Sequence, residues 1–370
     1  MSKRAIIIGG IAQSLVRFRG DLIRDLMARG YHVTAASAPT SDEAIAALRD
    51  WGVDYVPLPI DRTSLNPVKD LRTLYAIHRL VSRIRPDVVI AYTIKPVIYG
   101  GLAIRLCRPL RFLPMVTGLG FAFHGGSTLR NMLAWLAVNL YRQALKPAHR
   151  VIFQNPDDRN VFVRKGIVPV AKTRVVNGSG VNLGHYARVP LPDGPVSFLL
   201  AARLLKAKGI CEYVAAARQV KVNYPDAEFV IIGHKDTSPD AIPAAMIADW
   251  ATDGVVRYDG GVADIRPWLA RCSVYVLPSY SEGMPRTVLE AMAMGRPVIT
   301  TDVPGCRQTV VPGENGCLIP ARDVGALVRA MEAFLADPAS IPVQGEASYR
   351  MALEKFDVQA VNRDILQELD

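Results

Sequence analysis

The segment "SEGMPRTVLEAMAMG" (Ser281–Gly295) carries two glutamates, Glu282 and Glu290. A carboxylate only accepts hydrogen bonds, so it suits the vicinal hydroxyls of a sugar or a ribose. Glu282 falls in a glycine–proline turn, beside the N–H groups of Gly283 and Met284. Pro285 suits the first turn of a helix and Gly295 its stop, which sets Glu290 inside that helix. The plainer reading of these acids is pairing with the helix dipole. Upstream, "AARLLKAKGI" places Arg203, Lys206 and Lys208 between a strand and a helix. A loop of that kind offers unpaired N–H groups and the positive end of a helix dipole. A guanidinium and an ammonium beside them would clamp a diphosphate. The alternative is an ordinary solvated basic loop.

The elements that must hold these groups are legible as alternation. Arg4–Ile8, His32–Ala35, Tyr55–Leu58, Val88–Ala91, Arg111–Val116 and Arg150–Phe153 are short apolar runs. So are Ser197–Ala201, Glu228–Ile232, Val255–Tyr258, Cys272–Leu277, Pro297–Thr301 and Gly316–Ile319. Helical spacing fills the intervals, as in Gly20–Arg29 and Leu71–Ile84. Continuous apolar strands alternating with helices predict parallel, doubly wound sheets, here two in succession. Glu282 then lies at the carboxyl end of a strand, where open parallel sheets bind ligands. The seam is Gly178–Pro195, rich in glycine and proline. The expected domains are residues 1–180 and 181–349, with a C-terminal helix over about 350–370 packing back on the first. Gly178, Gly180 and Gly184 imitate a dinucleotide fingerprint. Pro190, Pro192 and Pro195 forbid the helix that fingerprint requires.

Composition narrows the classes. A chain of 370 residues with 50% hydrophobic content is globular and too long for one ordinary core. No run approaches the length of a spanning helix. The basic start and short apolar run of "MSKRAIIIGG" predict a buried strand, not a signal peptide. Five scattered cysteines form no ligand spacing and point to a reducing, cytoplasmic setting. Residues 1–185 hold 26 Lys and Arg against 11 Asp and Glu, whereas the rest hold 18 against 23. That asymmetry points to an anionic partner for the first half or to a merely soluble basic face. Ser127–Arg150, basic and aromatic with no acid, reads either as a helix lying on anionic lipid or as a core helix with a wet edge. There is no D-x-D, no phosphate-loop motif, no H-E-x-x-H and no G-x-S-x-G. No motif for nucleic acid accompanies the basic bias.

Taken together, the E-x7-E pattern in "PSYSEGMPRTVLEAMAMGRPVI" and the upstream "ARLLKAKG" resemble the retaining glycosyltransferases of family 4, which have the GT-B fold. "YTIKPVIYGGLA", "VTGLGFAF", "FQNPDDRNVF" and "GSGVNLGHY" resemble a subgroup that adds a hexose or N-acetylhexosamine to a sugar on polyprenyl diphosphate. The resemblance implies two Rossmann-like domains facing a cleft, with the acceptor on the first and the nucleotide on the second. It implies that Glu282 sits beside the transferred sugar, with Gly283, Met284 and Pro285 at its hydroxyls. Glu290 would hold the ribose, and Arg203 and Lys208 the diphosphate, without a metal or other cofactor. His234 and the loop around Val262 would hold the base. Gly10, in a glycine turn with Gly9, would approach the donor. His124 is the candidate histidine of the catalytic region, and Lys95 would face the acceptor diphosphate. The implied donor is a UDP-sugar. The implied setting is peripheral, on the anionic inner face of the cytoplasmic membrane. Two other readings compete: a protein that binds a sugar nucleotide without turnover, and a sugar-nucleotide epimerase.

Overall fold

The computed structural model describes residues 3–61, 66–107, 109–119 and 128–370. The chain forms two compact units, one running up to Ser179 and taking in Gln359–Asp370, the other Gly180–Val358.

The first unit runs β1 (Lys3–Ile11), α1 (Ala12–Ala28), β2 (Tyr31–Ala38), α2 (Asp42–Asp50), β3 (Asp54–Pro57), α3 (Pro67–Ile84) and β4 (Val88–Tyr92). It continues through α4 (Ile94–Ile104), β5 (Arg111–Val116), α5 (Thr128–Ala144), β6 (Val151–Phe153), α6 (Pro156–Arg164) and β7 (Thr173–Val175). Its seven strands pair in the order β3-β2-β1-β4-β5-β6-β7. All are parallel. Strands buried on both faces read as unbroken runs such as Ala5–Ile8 and Val88–Ala91. One face is covered by α3, α4 and α5 through Ile77, Val97 and Tyr141. The other is covered by α1 through Leu22 and Leu26.

The second unit runs β8 (Ser197–Ala201), α7 (Ile210–Asn223), β9 (Glu228–Ile232), α8 (Ala244–Asp253), β10 (Arg257–Tyr258), α9 (Arg266–Arg271) and β11 (Val274–Leu277). Then come α10 (Arg286–Ala293), β12 (Val298–Thr301), β13 (Gly316–Ile319), α11 (Val324–Ala336) and α12 (Ser340–Lys355), after which the chain returns to the first unit in α13 (Val358–Leu366). Its six parallel strands lie in the order β10-β9-β8-β11-β12-β13. The winding reverses between β8 and β11, so a crevice opens at their carboxyl ends. Arg296, fully buried, holds the seam segment to this unit. Its five N–H groups donate to the carbonyls of Leu269 at 2.8 Å, Val189 at 3.1 Å, Met294 at 3.1 Å, Pro190 at 2.8 Å and Ala270 at 3.1 Å.

Four expectations are corrected. Gly9 and Gly10 do not form a turn; β1 runs through them to Ile11, with a register shift against β2. The first helix begins at Ala12, well before Gly20. A seventh strand, β7, follows β6. The C-terminal stretch is not one helix: α12 ends at Lys355 within the second unit, and only α13 and the residues after it join the first. There α13 buries Val361 and Ile365 in the α1 core. Asn362 donates to Asp25 at 2.7 Å and Arg150 to Glu368 at 2.8 Å.

Candidate active site

The second unit assembles most of the residues singled out above. Arg203–Gly209 leaves the carboxyl end of β8 and Pro278–Met284 leaves that of β11, so both loops line the switch point. They are tied together. Tyr280 N–H and Ser279 Oγ both donate to the Ala207 carbonyl, at 2.9 and 3.2 Å. Asp240 pins the first loop by accepting from Ala207 N–H at 3.0 Å. Gly209 caps α7 with φ of 71°, and a Cβ there would lie 2.0 Å from the Pro278 carbonyl oxygen. Only glycine permits that approach.

The approach brings Lys208 Nζ onto Glu282 Oε1 as a partly buried ion pair. Glu282 N–H donates to the Pro304 carbonyl at 3.3 Å, and Gly305 packs on the carbonyls of Glu282 and Gly283. The Cys306 thiol sits beside the pair; burial, with the Glu282 charge adding, pushes it up to about 12. It is therefore a neutral packing group at neutral pH. Met284 packs half-buried against the core, and Pro285 caps α10.

Glu290 lies in the second turn of α10, 6% exposed, and accepts from Arg286 Nε at 3.0 Å. The Tyr186 phenol also reaches it; burial raises the Tyr186 pKa, and the Glu290 carboxylate raises it further. Arg203 turns instead to Asp236, at 2.9 Å, with more than half its side chain exposed. The Asp236 carboxyl is held below the usual range chiefly by the Ser238 N–H, with Arg203 adding. His234 follows β9 and lies under Gly261, whose Cβ, if present, would fall 2.1 Å from His234 Nδ1. Val262 is half-buried in the same loop.

The first unit places its candidate residues differently. Gly10 is buried within β1. At the first sheet's own switch point, between β1 and β4, the Tyr92 hydroxyl meets Ser14 Oγ at 2.7 Å. Lys95, in the first turn of α4, donates to Asp70 at 2.7 Å and is largely buried. His124 lies outside the described residues. Sequence reasoning missed Asp236, Tyr186 and Cys306. Asp236 had a signal, since it stands two residues past His234 beyond the carboxyl end of β9; the others had none. Among the described residues no three His, Cys, Asp or Glu side chains converge as a metal site. Nor is any helix among them long and apolar enough to cross a membrane.

Two cations and a turn of backbone N–H groups, gathered at a parallel-sheet switch point, form a site suited to a diphosphate. Two carboxylates nearby suit hydroxyl groups. Comparison with known proteins gives the family. Residues 15–178 match the glycosyl transferase 4-like domain, and residues 195–337 match glycosyl transferases group 1. The chain is a GT-B glycosyltransferase. The matched second half of this glycosyltransferase holds Arg203, Lys208, Glu282 and Glu290.

A relative from Campylobacter jejuni is the N,N'-diacetylbacillosaminyl-diphospho-undecaprenol alpha-1,3-N-acetylgalactosaminyltransferase. It is 27% identical over 338 residues, covering 88% of this chain and 87% of its own. An Escherichia coli relative, the UDP-Gal:alpha-D-GlcNAc-diphosphoundecaprenol alpha-1,3-galactosyltransferase, is 26% identical and covers 80% of this chain and 77% of its own. The HepE protein of Anabaena, in complex with UDP and glucose, shares the fold at a TM-score of 0.80 and 18% identity. That match covers 100% of this chain and 99% of HepE.

Proposed function

We propose that this glycosyltransferase moves a hexose or N-acetylhexosamine from a UDP-sugar to a sugar carried on polyprenyl diphosphate, with retention at the anomeric carbon and without a metal. The Lys208–Glu282 pair at the β8/β11 switch point is the observation that carries the reading. Lys208 would take the departing diphosphate, and Arg203, swinging from Asp236, would share its charge as the glycosidic bond breaks. With Lys208 so engaged, Glu282 is released to accept from a hydroxyl of the transferred sugar, while the Gly283 and Met284 N–H groups meet its other oxygens. Glu290 would accept from the ribose hydroxyls, its oxygens already oriented by Arg286 and Tyr186. His234 and Val262 would flank the base. The acceptor hydroxyl attacks from the face the diphosphate leaves, and the phosphate oxygen takes its proton. Glu282 is therefore no nucleophile. Lys95 would meet the acceptor diphosphate, and the enzyme would work on the inner face of the cytoplasmic membrane. The names of both curated relatives, each acting on a diphospho-undecaprenol sugar, support the acceptor class. The test is transfer in excess EDTA with the product linkage read by NMR. An α linkage formed from an α-linked donor at an undiminished rate is expected. A β linkage, or a rate restored only by added divalent cation, contradicts the mechanism.

A further inference from the structure

Two features that each cost stability meet at one phenol, that of Tyr280, two residues before Glu282. The first is Glu212. It is the third residue of α7, where a glutamate ordinarily turns back to the N–H of the capping residue. Gly209, the cap here, donates instead to the Lys206 carbonyl at 2.9 Å, and Glu212 reaches across to accept from the Tyr280 hydroxyl. Its other oxygen, Oε2, is buried and has no hydrogen-bond partner among the described residues. An unpartnered buried oxygen costs free energy and calls for a reason. The second is Arg322, in the loop between β13 and α11. Its φ is 64°, a left-handed backbone that costs an arginine free energy and a glycine none. There its guanidinium lies over the Tyr280 ring, 4.4 Å from the centroid.

Local strain that a fold retains points to a position constrained by function. Tyr280 is such a position. It belongs to the loop that carries Glu282 and the Gly283 and Met284 N–H groups. Its own N–H donates to the Ala207 carbonyl at 2.9 Å, in the loop that carries Lys208. Burial, with the Glu212 carboxylate adding, raises the pKa of the phenol above its ordinary value, so at neutral pH it stays protonated and donates. The backbone and side chain of one residue therefore fasten the Glu282 loop to the Lys208 loop and to the helix that follows it. Arg322 closes over the ring from a third element.

We propose that Tyr280, bracketed by Glu212 and Arg322, is a positioning residue for sugar transfer, which holds the Glu282 carboxylate and the neighbouring N–H groups in the geometry of the transition state; this rests on the transferase reading of the site and deepens it. Glu290 and His234, assigned to the nucleotide, stand outside the clamp. Its loss therefore costs turnover rather than UDP affinity.

The test combines amide exchange over Tyr280–Met284 with the kinetics of sugar transfer and UDP binding, all on the full chain. Exchange needs neither donor nor acceptor, so a wild type that transfers nothing sinks the transferase reading and leaves the exchange result to decide the clamp. Tyr280→Phe strands the Glu212 carboxylate, and the double variant with Glu212→Leu removes that charge as well. Tyr280→Phe, Glu212→Leu and the double variant are each expected to speed exchange over Tyr280–Met284 about tenfold. Each is expected to lower kcat about tenfold or more with UDP affinity unchanged. The double variant should be no worse than the worse single, because all three lose the same bond. Glu212→Gln, whose carbonyl still accepts from the phenol, is expected to keep the wild-type exchange and rate. Arg322→Gly is expected to melt no lower than wild type, since glycine adopts this backbone freely, and yet to turn over more slowly. Wild-type exchange over Tyr280–Met284 in Tyr280→Phe overturns the proposal. So does faster exchange spread evenly over β8, α7 and β11, which marks a general loss of stability. An Arg322→Gly enzyme as fast as wild type, or losses that add in the double variant, overturns it too.

Discussion

Gly305 offers a way to displace Glu282 without touching it. Its φ is 81°, and a Cβ at this position would stand 2.5 Å from the Glu282 carbonyl oxygen and 2.7 Å from that of Gly283. In Gly305→Ala, both carbonyls must retreat by about 0.8 Å to reach ordinary van der Waals contact. Glu282 carries the carboxylate beside Lys208, and Gly283 carries one of the two N–H groups assigned to the sugar. A misplacement of about 1 Å at a reacting centre costs about 100-fold in rate. The left-handed backbone adds roughly 1–2 kcal/mol of strain. Gly313 separates the two effects. It has φ of 82° and nothing within 4 Å of its would-be Cβ, so Gly313→Ala carries the strain without the collision. Thermal melts and kcat for sugar transfer are the assays. A somewhat lower melting temperature is expected in both variants, with kcat down about 100-fold in Gly305→Ala alone. Equal kcat in the two variants, or a Gly305→Ala enzyme as fast as wild type, would refute the reasoning.

Replacing Arg296 by Leu strands five carbonyls that its buried guanidinium satisfies. The expected loss is about 3–5 kcal/mol, read as a denaturant midpoint, and Arg296→Lys should not restore it, because one ammonium cannot span five acceptors. Burial lifts the Asp158 carboxyl from 3.8 to about 6, against the opposing pull of its Asn155 hydrogen bond. Its native state therefore holds a proton that the unfolded chain releases, so its contribution is favourable at low pH and is lost between about pH 4 and pH 6. Asp158→Asn should remove that loss, gaining up to roughly 3 kcal/mol over wild type as pH rises across this window; parallel stability curves for the two proteins would contradict it.

Strands such as Arg111–Val116 and Ser197–Ala201 were legible to the residue, because parallel strands buried on both faces read as apolar runs with sharp ends. Thr173–Val175 was not, since three half-buried residues make no run. The Gly9–Gly10 pair looks like a turn in isolation. The strand continues there, and Gly9 leaves room for the Tyr92 ring against it. The break between α12 and α13 was hidden for another reason. Val181 N–H donates to the Phe356 carbonyl at 2.7 Å and Val358 N–H to Val181 at 3.0 Å, replacing helical bonds with a bridge to residues far off in sequence. The site follows the same division. Lys208 and Glu282 were readable because each lies just past the end of a strand. Asp236 on Arg203, Tyr186 on Glu290 and Cys306 beside Lys208 depend on how loops fold over one another, which no spacing encodes.

The reading stands or falls on transfer to a lipid-linked sugar by the Lys208–Glu282 site. The most direct measurement is a screen of radiolabelled UDP- and GDP-sugars, in EDTA, with a mixed polyprenyl-diphosphate-sugar extract as acceptor. Label moving to lipid from one UDP-sugar, and failing to move in Glu282→Ala and Arg203→Ala, is the expected result. Transfer that survives both substitutions, or conversion of the donor with no acceptor present, would contradict it.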